Sequence, residues 1–192
     1  MSNPPHIFSL KDAAVGYALC AGRISGDDPL FLNSNPACIP IFVSMLFQSL
    51  EISIKHAGIE SGLFTMSDAR SRQYRSGHGI QELAKLACER LGGDPYKPVV
   101  MALTYKCMSP NSTVIISKMV SGPELENSRK SYASRCLGYA EISDGDFQLI
   151  NPVPDWVAAV RETAENLPQT VEVLRHWKNS SSTSRHFAIW EV

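Results

Sequence analysis

The chain reads as all-α, a helical bundle of about five main helices with one small β-hairpin near residues 139–150. Two observations predict this class. Apolar residues recur at helical spacing through most of the 192 residues, and helix start and stop signals bracket those stretches. A third observation, Asp144-Gly145 between Tyr139–Ile142 and Phe147–Ile150, supplies the hairpin through a type I′ turn.

The first helix starts after Ser9, an N-cap residue with Asp12 three positions on, and carries Leu10, Ala13, Ala14, Tyr17, Ala18 and Ala21 inward. Residues 24–36 are rich in Gly, Asp, Asn and Pro, so they form a loop. The second helix runs from Pro36 to His56 and is closed by Gly58 at C′. It is apolar nearly all round, as a central helix must be, apart from a narrow polar stripe of Ser44, Gln48, Glu51 and Lys55. Glu51 and Lys55 stand in the favourable i,i+4 order, which makes them a structural polar pair at the bundle edge or a dimer seam.

Residues 59–77 form a polar connector carrying Arg70, Arg72 and Arg75 around Tyr74. A third helix follows from His78 to Leu91, with Ile80, Leu83, Ala84, Ala87, Cys88 and Leu91 on one face and Gly92-Gly93 at its end. Residues 96–120 contain two short apolar runs about a Pro-Asn-Ser turn, compatible with a hairpin and read here as two short helices. Gly122-Pro123 opens a fourth helix that places Leu125, Tyr132, Ala133, Cys136 and Leu137 inward. A fifth helix starts at Asp155 with Trp156, Ala159, Val160, Ala164 and Leu167 on one face. Pro168 breaks it, a further turn or two carries Val171, Leu174 and Trp177, and the Ser-rich stretch 179–184 reads as a flexible link. The domain therefore spans residues 1–178, with 179–192 as link and short apolar tail.

Composition excludes several classes. Hydrophobic residues make up 44% and charged residues 19%, and the net charge is −1, so any affinity for nucleic acid must come from a local patch. Five cysteines without a C-x-x-C pair imply neither a disulfide framework nor a zinc site. The most apolar stretch, Ile39 to Phe47, is too short to span a bilayer, and the N-terminus has no signal-peptide pattern. These features predict a soluble, cytoplasmic protein without membrane attachment, metal or cofactor. There is no Gly-rich phosphate loop, no G-x-S-x-G elbow and no metal-ligand spacing among the five histidines.

The order of a capped helix, a loop, a helix reading Gln48-Ser-Leu-Glu51-Ile-Ser-Ile-Lys55, a polar connector and Gly77-His78-Gly-Ile-Gln-Glu-Leu83 resembles the HEPN domains. That family of helical bundles is named for higher-eukaryote and prokaryote nucleotide-binding proteins. Arg129-Lys-Ser-Tyr132 and Arg135-Cys-Leu-Gly-Tyr139 look like its later helix, and the likeness covers residues 9 to 170 in outline. It implies a homodimer that binds nucleic acid, a nucleotide or a partner protein. The chain departs from the pattern in two places. Gly79 stands where relatives carry Asp after the His, and no Arg followed four to six residues on by His lies on the fourth or fifth helix, where RNA-cutting relatives have it.

The candidate site is accordingly Arg70, Arg72, Tyr74, Arg75 and His78, with Arg129 and Arg135 as a second basic contribution. Arginines before a helix N-terminus suit phosphate, and a tyrosine can stack on a base. The plainer reading is that Ser76 or His78 caps the third helix and the arginines form solvated ion pairs. In the enzyme alternative, a metal-independent ribonuclease, His78 takes the proton of a ribose 2′-hydroxyl while Arg72 or Arg75 stabilises the phosphorane. A third alternative is an antitoxin-like or accessory interaction domain.

Overall fold

The computed structural model describes residues 9–26, 31–70, 79–94, 96–121 and 153–183. Every regular element among them is helical: α1 (Leu10–Ser25), α2 (Phe31–Ser34), a 3₁₀ turn (Pro36–Cys38), α3 (Ile39–Glu60), α4 (Met66–Arg70), α5 (Ile80–Leu91), α6 (Lys97–Thr104), α7 (Ser112–Ser121), α8 (Val153–Glu165) and α9 (Leu167–Thr183). The fold is all-α, and no described helix is long and apolar enough to cross a membrane. The expected fourth helix and the hairpin at 139–150 lie outside the described residues.

The centre of the structure is α3. Phe42, Val43, Leu46, Phe47, Leu50, Ile54 and Ala57 are all buried, enclosed by α1, α5, α8 and α9. Most of the cover that its apolar surface demands is thus supplied within one chain, although Ile41 near its start stays 51% exposed. Against α1 the approach is close. Ser49, fully buried, donates its hydroxyl to the Ala14 carbonyl at 2.8 Å, and the α1 face beside it is Ala14, Ala18 and Ala21. Ser53 satisfies itself on the Ser49 carbonyl at 2.8 Å.

α1 begins as its sequence requires. The Asp12 amide donates to Ser9 Oγ at 3.1 Å and the Ser9 amide donates to Asp12 Oδ2 at 2.9 Å, a reciprocal cap. The inward stripe is narrower than expected, because Leu10 at its first turn is 43% exposed. On α5 all six expected residues are buried. Residues 96–121 are two helices, with the turn between them made at Asn111, which takes the left-handed conformation (φ 61) that asparagine tolerates well. The α8 stripe from Trp156 to Ala164, continued by Leu167, is buried as expected.

Four expectations are corrected. Gly58 does not close the central helix. That helix runs to Glu60, and the chain leaves it at Gly62, whose positive φ of 71° suits glycine. Gly58 is needed for a different reason: a Cβ there would fall inside the ring of Phe64. The connector that follows is not uniformly polar either, since Leu63 and Phe64 are both buried. Finally, Pro168 starts a helix instead of ending one. As the second residue of α9 it has no amide to lose, and the Gln169 and Thr170 amides both donate to the Asn166 carbonyl, at 3.0 and 3.1 Å. α9 then continues to Thr183, so residues 179–183 of the expected flexible link are helical, with Ser180 and Ser181 bonded back to the His176 and Lys178 carbonyls.

The C-terminal end of α3 is held by cations from two other helices. Arg175 donates to the Glu60 carbonyl at 3.0 Å and Lys178 to the Gly62 carbonyl at 2.7 Å, and Arg90 donates to the Leu63 carbonyl. Positive side chains here satisfy orphan carbonyls and oppose the negative end of the helix dipole.

The Gly58–Phe64 contact yields a measurable expectation. Gly58→Ala should destabilise the fold by about 1–3 kcal/mol through overpacking, and Phe64→Ala by about 3–5 kcal/mol through the cavity it leaves. The double variant should lose clearly less than the sum, since the new methyl enters the vacated space. Urea denaturation of the four proteins checks this, and strict additivity would count against the contact.

Candidate functional site

Sequence reasoning places the chemistry on the segment joining α4 to α5. The structure fixes both ends of that segment. At its start, Thr65 and Asp68 cap α4 reciprocally: the Thr65 amide donates to Asp68 Oδ2 at 2.7 Å and the Asp68 amide to Thr65 Oγ1 at 3.1 Å. Arg90 of α5 then binds Asp68 Oδ2 at 2.9 Å while also holding the Leu63 carbonyl. The Arg90 guanidinium, with the Thr65 amide, holds the Asp68 carboxyl well below the usual carboxylate range, at about 2. α4 and α5 are thereby latched together across the base of the connector.

At the far end the N-cap of α5 is Gly79, in the left-handed region (φ 47), and Ile80 and Leu83 are buried immediately after it. The helix starts two residues later than expected, so the N-cap role assigned to His78 or Ser76 belongs to Gly79. Of the expected site residues, Arg70 is the last residue of α4. Arg72, Tyr74, Arg75, His78, Arg129 and Arg135 lie outside the described residues.

Glu51 and Lys55 do meet, as an i,i+4 ion pair on α3 with Glu51 largely buried. Nearby, burial pushes His56 below its ordinary value, with Lys11 acting in the same direction and Glu60 against it. No group of three His, Cys, Asp or Glu side chains among the described residues could hold a metal. A small apolar crevice lies between Phe64, Ala87, Val99 and Leu174, but it is no roomier than one water molecule.

A second polar cluster was not anticipated. Glu162 of α8 accepts from the Met108 amide (2.6 Å), the Ser109 amide (3.0 Å) and the Ser109 hydroxyl (2.6 Å). Burial works to raise its pKa, but these three donors outweigh burial and the carboxyl is held low. Asn166 adds a bond to the Lys106 carbonyl at 3.2 Å. The arrangement is an anchor for the α6–α7 turn, since the Glu162 carboxylate is taken up by the Met108 and Ser109 amides and the Ser109 hydroxyl, and the Asn166 amide by the Lys106 carbonyl. Beside it Cys107 is pushed up by burial, which makes it a poor nucleophile. Its sequence signal, a glutamate on the polar side of α8, is shared by any solvated helix residue.

Comparison with protein-family models, with curated proteins and with solved structures finds no match.

The Asp68–Arg90 latch predicts a pH dependence. Asp68 has a lowered pKa in the folded state, so its stabilisation is present above the unfolded carboxylate range, near pH 4, and is lost as pH falls toward about 2. Arg90→Met should therefore cost about 0.5–1 kcal/mol at pH 7 for a partly exposed pair. The gap to the parent should narrow as pH falls from about 5 to about 2, leaving the part due to the Leu63 carbonyl. Denaturation midpoints across that range test it, and a gap independent of pH would remove the latch.

Proposed function

We propose that the chain is a HEPN-like helical module that binds the phosphates of RNA or a nucleotide without cutting them, and that it works as a homodimer. Phosphate is held by Arg70, Arg72 and Arg75, with Tyr74 stacking on a base, His78 beside the start of α5, and Arg129 and Arg135 extending the basic surface. One observation supports this reading above others: the connector bearing the three arginines is anchored at both ends, by the Asp68–Arg90 bond at α4 and by buried Ile80 and Leu83 on α5. Anchored ends shorten the span that must order on a phosphate, which lowers the ordering cost of binding. The resemblance in helix order and in the Glu51/Lys55 and Gly77-His78 motifs supplies the family and the dimer.

Fluorescence anisotropy with a short single-stranded RNA tests the reading. Arg72→Ala combined with Arg75→Ala should weaken binding at low salt. It should also flatten the salt dependence by about 0.7 in log–log slope for each phosphate contact removed. His78→Ala should leave binding nearly unchanged, because it removes no charge at neutral pH. Light scattering should give twice the 21.1 kDa chain mass. Metal-independent cleavage by the parent, lost in His78→Ala, would establish the ribonuclease instead. Absence of RNA and nucleotide binding at low salt would leave the interaction domain.

A further inference from the structure

The α6–α7 pair carries an exposed apolar surface apart from the α4–α5 connector. Along α6 the outward row is Lys97, Met101 and Tyr105, spaced four apart on one helix face, with Met101 41% and Tyr105 60% exposed. Along α7 the outward row is Val114, 54% exposed, and Lys118. The two helices pack on each other, and Thr113 donates to Thr104 at 3.2 Å where they meet. Met108, at the turn between them, is 88% exposed. An apolar side chain this bare usually sits on a loose loop. Here its own amide is fixed to Glu162 at 2.6 Å, and the flanking Ser109 and Lys106 are tied to α8 as well.

Charge selects among occupants. From Tyr96 to Ser121 there is no Asp or Glu, whereas Lys97, Lys106 and Lys118 are all exposed. Lys106 lies over the Tyr105 ring, 5.1 Å from its centre. The neighbouring carboxylate, Glu162, is consumed by its three donors. The surface therefore combines exposed Met101 and Tyr105 on α6, Met108 at the turn and Val114 on α7 with three exposed lysines and no carboxylate of its own. It contains no arginine, the residue best suited to bidentate phosphate contacts. Thioether side chains adapt to varied apolar partners, and apolar anchors at helical spacing among basic side chains suit an acidic amphipathic helix.

We propose that the outer face of α6 and α7 is a docking surface for an acidic amphipathic helix of a partner protein. The apolar face of that helix seats on Met101, Tyr105, Met108 and Val114, and its carboxylates meet the three lysines. The anchored turn keeps Met108 in place before the partner arrives, so little ordering is left for binding.

The test uses the full chain labelled at its methionine methyl groups. The titrant is a synthetic peptide with Leu and Phe at helical spacing and Glu elsewhere, and the control is the same peptide with Lys for Glu. The acidic peptide should shift the Met101 and Met108 signals and leave that of buried Met119 in place, with saturation by about millimolar peptide. Lys97→Glu, Lys106→Glu and Lys118→Glu together should weaken the acidic peptide at least about tenfold and improve binding of the basic one. Circular dichroism of this surface variant confirms that it folds. Equal response to both peptides, or none at Met101 and Met108, would overturn the proposal. So would shifts that need only higher protein concentration, which would mean a second copy. Shifts produced by phosphatidylserine vesicles or RNA but not by the acidic peptide would also overturn it.

Discussion

Everything in this structure depends on enclosing α3. A helix with apolar side chains on nearly every face needs cover on most of its sides, and the carbonyls at its C-terminal end need donors. The surrounding elements answer both demands. Alanines on α1 permit close approach on one side, where Ser49 reaches the Ala14 carbonyl. Gly58 admits the Phe64 ring on another, so that the chain can fold straight back over the helix it has just left. At the C-terminal end three cations from α5 and α9 bind the carbonyls of Glu60, Gly62 and Leu63.

What was legible in the sequence follows from how far each signal reaches. The buried faces of α5 and α8 were readable because apolar spacing is a local property with one geometric solution. The Ser9–Asp12 cap was readable for the same reason. Gly58 was misread because a glycine near a helix end has a common local explanation, whereas its real constraint is a ring six residues further on. Leu63 and Phe64 hide in a polar neighbourhood, and their burial depends on α5 and α6 being present. The Ser-rich end of α9 has weak helix propensity, yet Arg175 and Lys178 fasten that helix to α3 from 115 and 116 residues away.

For the candidate site the sequence named residue types suited to phosphate, but the supports of those residues were out of its reach. Asp68 and Arg90 are 22 positions apart, and no spacing rule joins a cap residue on a short helix to the last turn of another. Glu162 is a similar case, because a carboxylate that anchors a turn across 53 or 54 residues looks like any exposed glutamate until the turn is seen against it. Long-range polar contacts of this kind hold the framework in place, and a one-dimensional pattern does not encode them.

The fastening of α9 to the end of α3 also bears on how the chain comes to be folded. The N-terminal helices emerge from synthesis first, yet Trp156, Leu167 and Leu174, which complete the core, come from the last elements described. Until they arrive, the apolar length of α3 has no complete cover. Closure spans more than a hundred residues, so apolar surface stays on view until the last helices are made. A growing chain halted before α9 would display that surface for as long as it waits, making it a natural client for chaperones and an early target for proteases.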